Sequence, residues 1–213
     1  GFKNCWVGSN DESFEDLLAP LRSARISSNA GSRGRLPTAV QAGKSMTDAS
    51  TWQTLPLGAV VGTIVPQRDK PTDLDGPIPW LRIEDFDGKY LGESKSGQGV
   101  TQSQVTQMPL RVFPEGTVVC SCSCTMGATA IATRPLVTNQ TFIGLVPGPR
   151  IDASFLYYLM QAKEDELQQR ASGSIQQYLS KSEFRALRVS LPPVEEQRRI
   201  ADFLDDQVTR VDA

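Results

Sequence analysis

Histidine is absent from this chain of 213 residues. Its absence removes the commonest general base and many metal sites. The sequence also contains no P-loop, no Rossmann glycine fingerprint and no nucleophile elbow, so it gives no positive sign of catalysis. No apolar run approaches the roughly 18 residues of a membrane span, and no secretory signal lies near the start. These absences favour a non-catalytic protein without a membrane partner.

Cysteine is scarce, and three of the four cysteines lie two residues apart in the stretch VVCSCSCTMG, at Cys120, Cys122 and Cys124. The stretch is rich in small and β-branched residues and is bounded by turn residues, which predicts a strand. Cysteines at alternate strand positions share one face and lie roughly 6.8 Å apart, at the outer limit for a disulfide. Because no Cys-x-x-Cys pair exists, we expect these thiols to pack as small hydrophobes without a metal. Without a disulfide framework, the chain is most simply placed in the reducing cytoplasm.

A strong excess of charge of one sign is also missing. The 22 lysines and arginines are nearly balanced by 24 aspartates and glutamates, which gives a net charge of −2 and an isoelectric point near 5.3. Phosphate contacts need clustered Lys and Arg, so this balance argues mildly against a stand-alone nucleic-acid-binding protein. It leaves open a subunit whose partner supplies much of the positive surface.

The chain divides into three segments by composition. Residues 1–50 combine a short helical pattern with a Gly- and Ser-rich linker and stay unassigned, residues 51–192 have the composition of one domain, and residues 193–213 form a helix. Within the domain, we expect the polar, glycine-rich segment 84–106 to be an exposed excursion. We also expect Asp152 to cap a single helix and Ser182 to cap a short one.

The C-terminal segment follows a double proline and has an amphipathic helical pattern. Acidic residues occupy its first turn, where the helix dipole favours them, and apolar residues recur every three or four positions. A helix that starts after two prolines should not fold back without a deliberate turn. We therefore expect its apolar face to meet another helix, in a partner or in a continuation of the chain. The alternative is an ordinary amphipathic helix that lies on its own domain.

Six segments, in the same order along the chain, resemble type I restriction–modification specificity subunits. The first five are WQTLPLG, GPIPWLRIEDFDG, FPEGTVVCSCSCTMGATAIA, VTNQTFIGLVP and GSIQQYLSKSEFRALRVSLPP. The sixth, PPVEEQRRIADFLD, is similar to the proline-glutamate-glutamine signature that opens the spacer helices of that family. The match covers roughly residues 52–213, and six motifs in order make the resemblance specific.

The resemblance implies an α+β fold: a mixed, small-stranded target recognition domain with packed helices, followed by a long C-terminal spacer helix. It implies a sequence-specific DNA recognition subunit that catalyses nothing and holds no cofactor. The implied partners are double-stranded DNA, an adenine methyltransferase subunit that carries S-adenosylmethionine, and a restriction or translocase subunit. The family joins two recognition domains through antiparallel helices, whereas this chain has one. A homodimer through the C-terminal helix and a truncated two-domain subunit both remain open.

Three polar regions hold the side chains best suited to contact DNA, because Arg pairs bidentately with guanine, Gln pairs with adenine, and Lys contacts phosphate. They are a loop after the first apolar stretch, the glycine-rich excursion, and the segment before the closing strand. In that order the candidates are Arg68 and Lys70; Lys89, Lys95, Gln98 and Gln102; and Ser174, Gln176, Gln177 and Lys181. The last group lies in a segment that matches the family, so the resemblance favours it as a group. The alternative for each residue is ordinary solvated surface.

The C-terminal helix supplies a second set of candidates, for contact with another helix or with the methyltransferase. They are Gln197, Arg198, Ile200, Phe203, Leu204, Val208 and Val211. Two other functions remain open. A recognition fold repurposed for protein interaction agrees with the acidic isoelectric point, and a fragment of a fused methyltransferase–endonuclease would have its catalytic motifs outside these residues.

Overall fold

The computed structural model describes residues 52–67, 70–123, 127–172 and 179–211; the helix and linker predicted within residues 1–50 lie outside these ranges. Strands and helices are mixed, as expected of an α+β protein. The strands are β1 Gln53–Pro56, β2 Val61–Ile64, β3 Ile78–Leu81, β4 Tyr90–Leu91, β5 Gly99–Val100, β6 Val118–Ser121, β7 Thr129–Ala132, β8 Val137–Thr138, β9 Phe142–Pro147 and β10 Arg188–Leu191. The helices are α1 Gln102–Gln107, α2 Ala153–Ala162, α3 Glu164–Ser172, α4 Lys181–Ala186 and α5 Val194–Val211, with 3-10 turns at Leu57–Ala59 and Ile83–Asp85.

The described strands form three sheets. The largest has the order β2-β9-β6-β7-β4 and is antiparallel except for the parallel pair of β4 and β7. The second has the order β5-β3-β8, in which β3 is antiparallel to β5 and parallel to β8. The third is an antiparallel ribbon of β1 and β10, with Gln53 opposite Leu191 and Pro56 opposite Arg188. The ribbon therefore holds β1 against the strand that leads into α5.

The start of the cysteine stretch forms the predicted strand, β6 at Val118–Ser121, in the centre of the largest sheet, whereas Cys124 lies outside the described residues. Cys120 and Cys122 are buried in the core cluster that also contains residues of the helices. Val119, which precedes Cys120, lies in a second core cluster with Phe142. Because side chains alternate along a strand, both faces of β6 are covered, and small residues suit the space. The turn after the strand uses Gly127 at φ +95°, a conformation that favours glycine.

Helix α2 covers the large sheet and begins where predicted. The Asp152 carboxylate accepts hydrogen bonds from the backbone N–H groups of Ser154 and Phe155 at 2.9 and 3.1 Å, which confirms the N-cap. The residues from Phe155 to Met160 are all buried, so this helix contributes a large share of the core. The predicted single helix is interrupted at Lys163 and continues as α3.

Two local predictions were wrong. Helix α4 is capped by Ser180 and not by Ser182, because the Glu183 carboxylate bonds back to the Ser180 backbone N–H and completes a capping box. The segment 84–106 is not a plain exposed excursion, since it contains β4, β5 and α1, and Val100 is fully buried. Pairing with strands that are distant in sequence organises this segment, and a polar, glycine-rich composition does not reveal such pairing.

Helix α5 lies on its own domain, contrary to the expectation that the double proline would direct it away. Ile200 and Leu204 are 2% and 4% exposed and belong to the core cluster that contains α2. Burial of each such side chain contributes about 1.5–3 kcal/mol to the free energy of folding. Helix α2 of the same chain provides the apolar surface for this burial. The alternative of an amphipathic helix lying on its own domain therefore describes α5 as far as Leu204.

Candidate nucleic-acid interface

Four cationic side chains lie along the β1–β10 ribbon and the neighbouring helix α4. We call them the cationic face; they are Arg150, Lys181, Arg185 and Arg188. The guanidinium of Arg188 donates a hydrogen bond across the ribbon to the Thr54 carbonyl at 3.1 Å, and that of Arg150 donates to Gln53 Oε1 at 2.7 Å. Both contacts hold a guanidinium that is distant in sequence against strand β1.

Arg185 and Lys181 extend this face from α4. The Arg185 guanidinium donates a hydrogen bond to the Gly58 carbonyl at 3.1 Å, and a Cβ added at Gly58 would lie 2.9 Å from the Arg185 Cβ. A glycine at this position therefore lets the arginine lie against the backbone of the 3-10 turn. Lys181 and Arg185 also line an open depression, together with the serines on either side of Lys181.

The cationic face differs from most other described cations because it has no carboxylate partner among the described residues, a feature that it shares with Lys70 and Arg111. Elsewhere, Arg134 pairs with Glu93 at 2.7 Å and Lys95 with Asp87 at 3.4 Å. Within the described ranges, no carboxylate lies within 4.0 Å of a cationic group of the face. Each guanidinium has five N–H donors, so the observed contacts leave donors for a ligand. Among the residues that the structure describes, no ion pair neutralises the positive charge of the face, and such charge attracts phosphate.

The carboxylate on α4 is directed to its own helix. Glu183 accepts hydrogen bonds from the Ser180 hydroxyl at 2.6 Å and from the Ser180 backbone N–H at 2.7 Å. These hydrogen bonds hold the pKa of Glu183 below its ordinary value. Glu183 is thus ionised at neutral pH, but its charge serves the cap and forms no ion pair with Lys181 or Arg185.

The candidates from the first loop and the excursion are dispersed over the surface. Lys70 is exposed in a loop, Lys95 is exposed beside a carboxylate, and Gln102 is exposed at the first position of α1. Gln98 is half-buried, and its Oε1 atom is buried without a hydrogen-bond partner. Arg68 lies outside the described residues. These side chains are not gathered at the cationic face.

Lys89 has a different environment from the other candidates. Its ammonium donates to both carboxylate oxygens of Asp205 on α5, at 2.7 and 2.6 Å, and only 12% of its side chain is exposed. It is therefore engaged within the chain. In the last predicted group, Lys181 lies on the cationic face, whereas Ser174, Gln176 and Gln177 lie outside the described residues.

Sequence reasoning missed Arg150, Arg185 and Arg188. A signal existed for Arg185 and Arg188, since both follow Lys181 within the motif GSIQQYLSKSEFRALRVSLPP. No comparable signal existed for Arg150, because it joins the face only through its contact with Gln53 on β1. The pairing of β1 with β10 places Arg188 beside β1, the strand to which Arg150 also bonds.

The helix candidates divide into buried and exposed residues. Gln197 is fully buried: its Oε1 accepts a hydrogen bond from the Asp152 backbone N–H, and its Nε2 donates to the Pro192 carbonyl, both at 2.8 Å. Ile200 and Leu204 are buried in the chain's own core. Of the others, Arg198 is exposed and forms an ion pair with Glu195. Phe203 is 38% exposed and Val208 is half-buried, whereas the side chain of Val211 is not among those described.

Other chemistries find little support in the described residues. Within those ranges, no group of three Cys, Asp or Glu side chains is placed to hold a metal ion. Burial raises the pKa of the Cys120 thiol to about 12, so this cysteine is neither a ready metal ligand nor a ready nucleophile. No helix in the described part of the chain combines the length and apolarity needed to cross a bilayer.

Comparison with known proteins gives one family. The sequence model described as "Type I restriction modification DNA specificity domain" matches residues 50–212. The specificity subunit of the type I restriction enzyme MjaIX, from Methanocaldococcus jannaschii, is 31% identical over 151 residues, which are 70% of this chain and 35% of that protein. The aligned part of this chain thus spans about a third of the length of that relative.

Two solved structures share the fold. The HsdS subunit from Thermoanaerobacter tengcongensis aligns over 93% of this chain and 44% of its own length, with a TM-score of 0.63 and 21% identity. A chain from a structure concerned with complex assembly and conformational transition of the type I R-M system aligns over 93% of this chain and 45% of its own length, with a TM-score of 0.64 and 21% identity. The α+β architecture described above is thus one already seen in such subunits.

Proposed function

We propose that this chain recognises a specific DNA sequence for a partner enzyme. The basis for this is the family: the chain belongs to the type I restriction modification DNA specificity domain family. The resemblance seen in the sequence motifs is confirmed by this match and by the relative from Methanocaldococcus jannaschii. Membership of this family makes the chain a specificity component and not a catalytic one. The partner that we propose is an adenine methyltransferase that carries S-adenosylmethionine, joined in some assemblies by a restriction subunit.

The observation that carries the proposal is the cationic face. Its four side chains come from a loop, a helix and a strand; Arg150 and Arg188 bond to β1, and Arg185 bonds to the 3-10 turn that follows β1. Phosphate oxygens accept hydrogen bonds from Arg and Lys, and such contacts set the register and orientation of a protein on the duplex. We propose that the cationic face contacts the DNA backbone and thereby positions nearby polar side chains against base edges.

The overall charge of −2 agrees with this assignment. Ion pairs elsewhere on the molecule, such as that of Arg134 with Glu93, place a cation beside a carboxylate, so their local fields largely cancel. A small unpaired group can then dominate one surface even when the whole chain is acidic. With few phosphate contacts, the chain should bind DNA weakly alone and depend on its partner for affinity.

The described part of the chain has one recognition unit and α5, whereas the relatives from Methanocaldococcus jannaschii and Thermoanaerobacter tengcongensis are about twice as long as this chain. We propose residues 51–192 as the DNA target recognition domain and residues 193–213 as the start of a spacer helix. A second recognition unit would come from a second copy of the chain or from a longer parent protein. The cytoplasmic location expected from the sequence belongs to the same proposal.

The test compares duplex DNA binding by two double variants. Arg185→Gln with Arg188→Gln removes two cations from the face, and Arg134→Gln with Lys95→Gln removes two cations that are already paired with carboxylates. We expect the first variant to lower affinity and to reduce the slope of log K against log salt by about 1.8, since each lost phosphate contact removes about 0.9. Equal salt slopes for both variants would contradict the assignment of the face.

A second measurement tests the role in methylation. The chain is co-expressed with the adenine methyltransferase encoded beside it, and methylated adenines are mapped by single-molecule sequencing. A palindromic bipartite motif would indicate two copies of this chain, and an asymmetric one a second, different recognition domain. A stable complex that methylates no specific site would reject DNA recognition and favour a protein-interaction module.

A further inference from the structure

Lys89 lies among three tyrosine rings at the edge of the large sheet. Its ammonium is 5.6, 5.7 and 5.0 Å from the ring centres of Tyr90, Tyr157 and Tyr158. The Tyr158 hydroxyl donates a hydrogen bond at 2.5 Å to the same Asp205 carboxylate that receives the lysine. Cation–π attraction and charge-assisted hydrogen bonds therefore act on one ammonium together. We call Lys89, Tyr158 and Asp205 the Lys89 cluster.

The Lys89 cluster joins three elements that are distant in sequence. Lys89 immediately precedes β4, Tyr158 lies on α2, and Asp205 lies on α5. In the described part of α5, Leu204 is the last fully buried residue, and Asp206 and Thr209 beyond it are exposed. Val208 is half-buried against the core, so the cluster attaches α5 to the domain where its packing becomes partial.

A second attachment lies near the start of the same helix. Gln197 bonds the Asp152 backbone N–H and the Arg150 and Pro192 carbonyls. Gln197 and Asp205 are eight residues apart, about 12 Å along a helix axis. Ile200 and Leu204 are buried between these two attachments, so the contacts of Gln197 and Asp205 fix the direction of the helix axis at both ends of its packed part.

We propose that Lys89 is a positioning residue: through Asp205 it fixes the direction in which α5 leaves the domain. On the proposed function, which this inference extends, that direction sets the distance at which a second recognition unit is held. The spacing between the two halves of the DNA site is then selected partly inside this domain, and not only by the length of the helix. Lys89 accordingly has a role in recognition without touching DNA.

The first test measures the attachment of α5 without DNA. Lys89→Met keeps an unbranched apolar stem against the tyrosine rings and removes the charge, and Lys95→Met removes a lysine from the exposed ion pair with Asp87 as the matched control. Amide hydrogen exchange is followed in both variants of the full chain. We expect residues 205–211 to exchange at least about tenfold faster in Lys89→Met only, with the large sheet unchanged. Tyr158→Phe, which removes only the hydroxyl, should give a smaller change in the same residues.

The second test maps methylation motifs for the same variants with the partner methyltransferase. We expect the wild type and Lys95→Met to keep one half-site spacing, and Lys89→Met to accept spacings that differ by about one base pair, roughly 3.4 Å of duplex. Unchanged exchange in α5 of Lys89→Met would overturn the positioning role. Faster exchange with an unchanged spacing would overturn its link to spacing. If the wild type methylated no specific site, the proposed function would fail, and the exchange data would still decide whether Lys89 holds α5.

Discussion

The side chain of Gln197 holds the backbone of Asp152, whose N–H group donates to Gln197 Oε1 at 2.8 Å. The Gln197 amide nitrogen meanwhile donates to the carbonyls of Arg150 and Pro192 at 3.0 and 2.8 Å. One buried amide thus joins the start of α5 to the cap of α2 and to the loop that carries a cation of the cationic face. This joint connects the helix to the surface proposed to contact DNA.

Gln197→Ala should destabilise the protein strongly. The change leaves the buried Pro192 carbonyl and the partly buried Asp152 N–H and Arg150 carbonyl without this partner, and a buried loss of this kind costs about 1–3 kcal/mol. We expect the free energy of unfolding in urea to fall by about 3 kcal/mol. Gln169→Ala, at an exposed position of α3, is the control and should change it little. Similar values for the two variants would show that the Gln197 contacts contribute little to stability.

Gly58→Ala should weaken DNA binding more than it weakens the fold. The added Cβ would lie 2.9 Å from the Arg185 Cβ and about as near its guanidinium, so the arginine must move off the 3-10 turn. We expect a loss of DNA affinity of about fivefold, roughly 1 kcal/mol. Gly62→Ala serves as the control, since its Cβ would come no closer than 3.4 Å to Val146. Both variants are measured by fluorescence anisotropy with duplex DNA at fixed salt, and equal affinities would argue against Arg185 as a DNA contact.

The buried thiol of Cys120 should make stability fall at alkaline pH. Burial raises its pKa from 9.0 to about 12, so below pH 9 the thiol is neutral in both states and its burial contributes fully. As pH rises from 9 towards 12, the unfolded chain loses this proton and the folded chain retains it, which favours unfolding. Between about pH 8 and pH 10 the wild type should lose about 1.4 kcal/mol more than Cys120→Ala, in urea titrations at each pH. Parallel losses in both proteins would mean that the thiol titrates normally when folded.

Phe142→Ala should cost far more than Phe86→Ala. The two rings are stacked with centroids 5.0 Å apart, but Phe142 is fully buried, whereas Phe86 is only partly buried. Truncating a buried phenylalanine typically costs about 3–5 kcal/mol through lost transfer energy and the cavity that remains. We expect Phe86→Ala to cost about 1–2 kcal/mol, because part of its ring already contacts water. Thermal and urea unfolding compare the two, and equal costs would contradict the burial argument.

Local signals in the sequence were sufficient for several elements. The carboxylate of Asp152 predicted the start of α2, because the cap needs only the next three residues. The alternating small residues around Cys120 predicted a buried strand, and the turn at Gly127 followed from its backbone requirement. The family was also evident from the order of six motifs, which needs no knowledge of contacts.

What the tertiary structure alone decided is which charged side chains neutralise one another. From the sequence, Lys89 and Lys181 were both candidates for DNA. Folding gives Lys89 a carboxylate 116 positions away and leaves Lys181 beside Arg185 at an open depression. The fold of α5 onto α2 likewise depends on burial between distant segments. Local pattern determines where a helix or strand begins, whereas pairing across the fold depends on distances that only the folded chain defines.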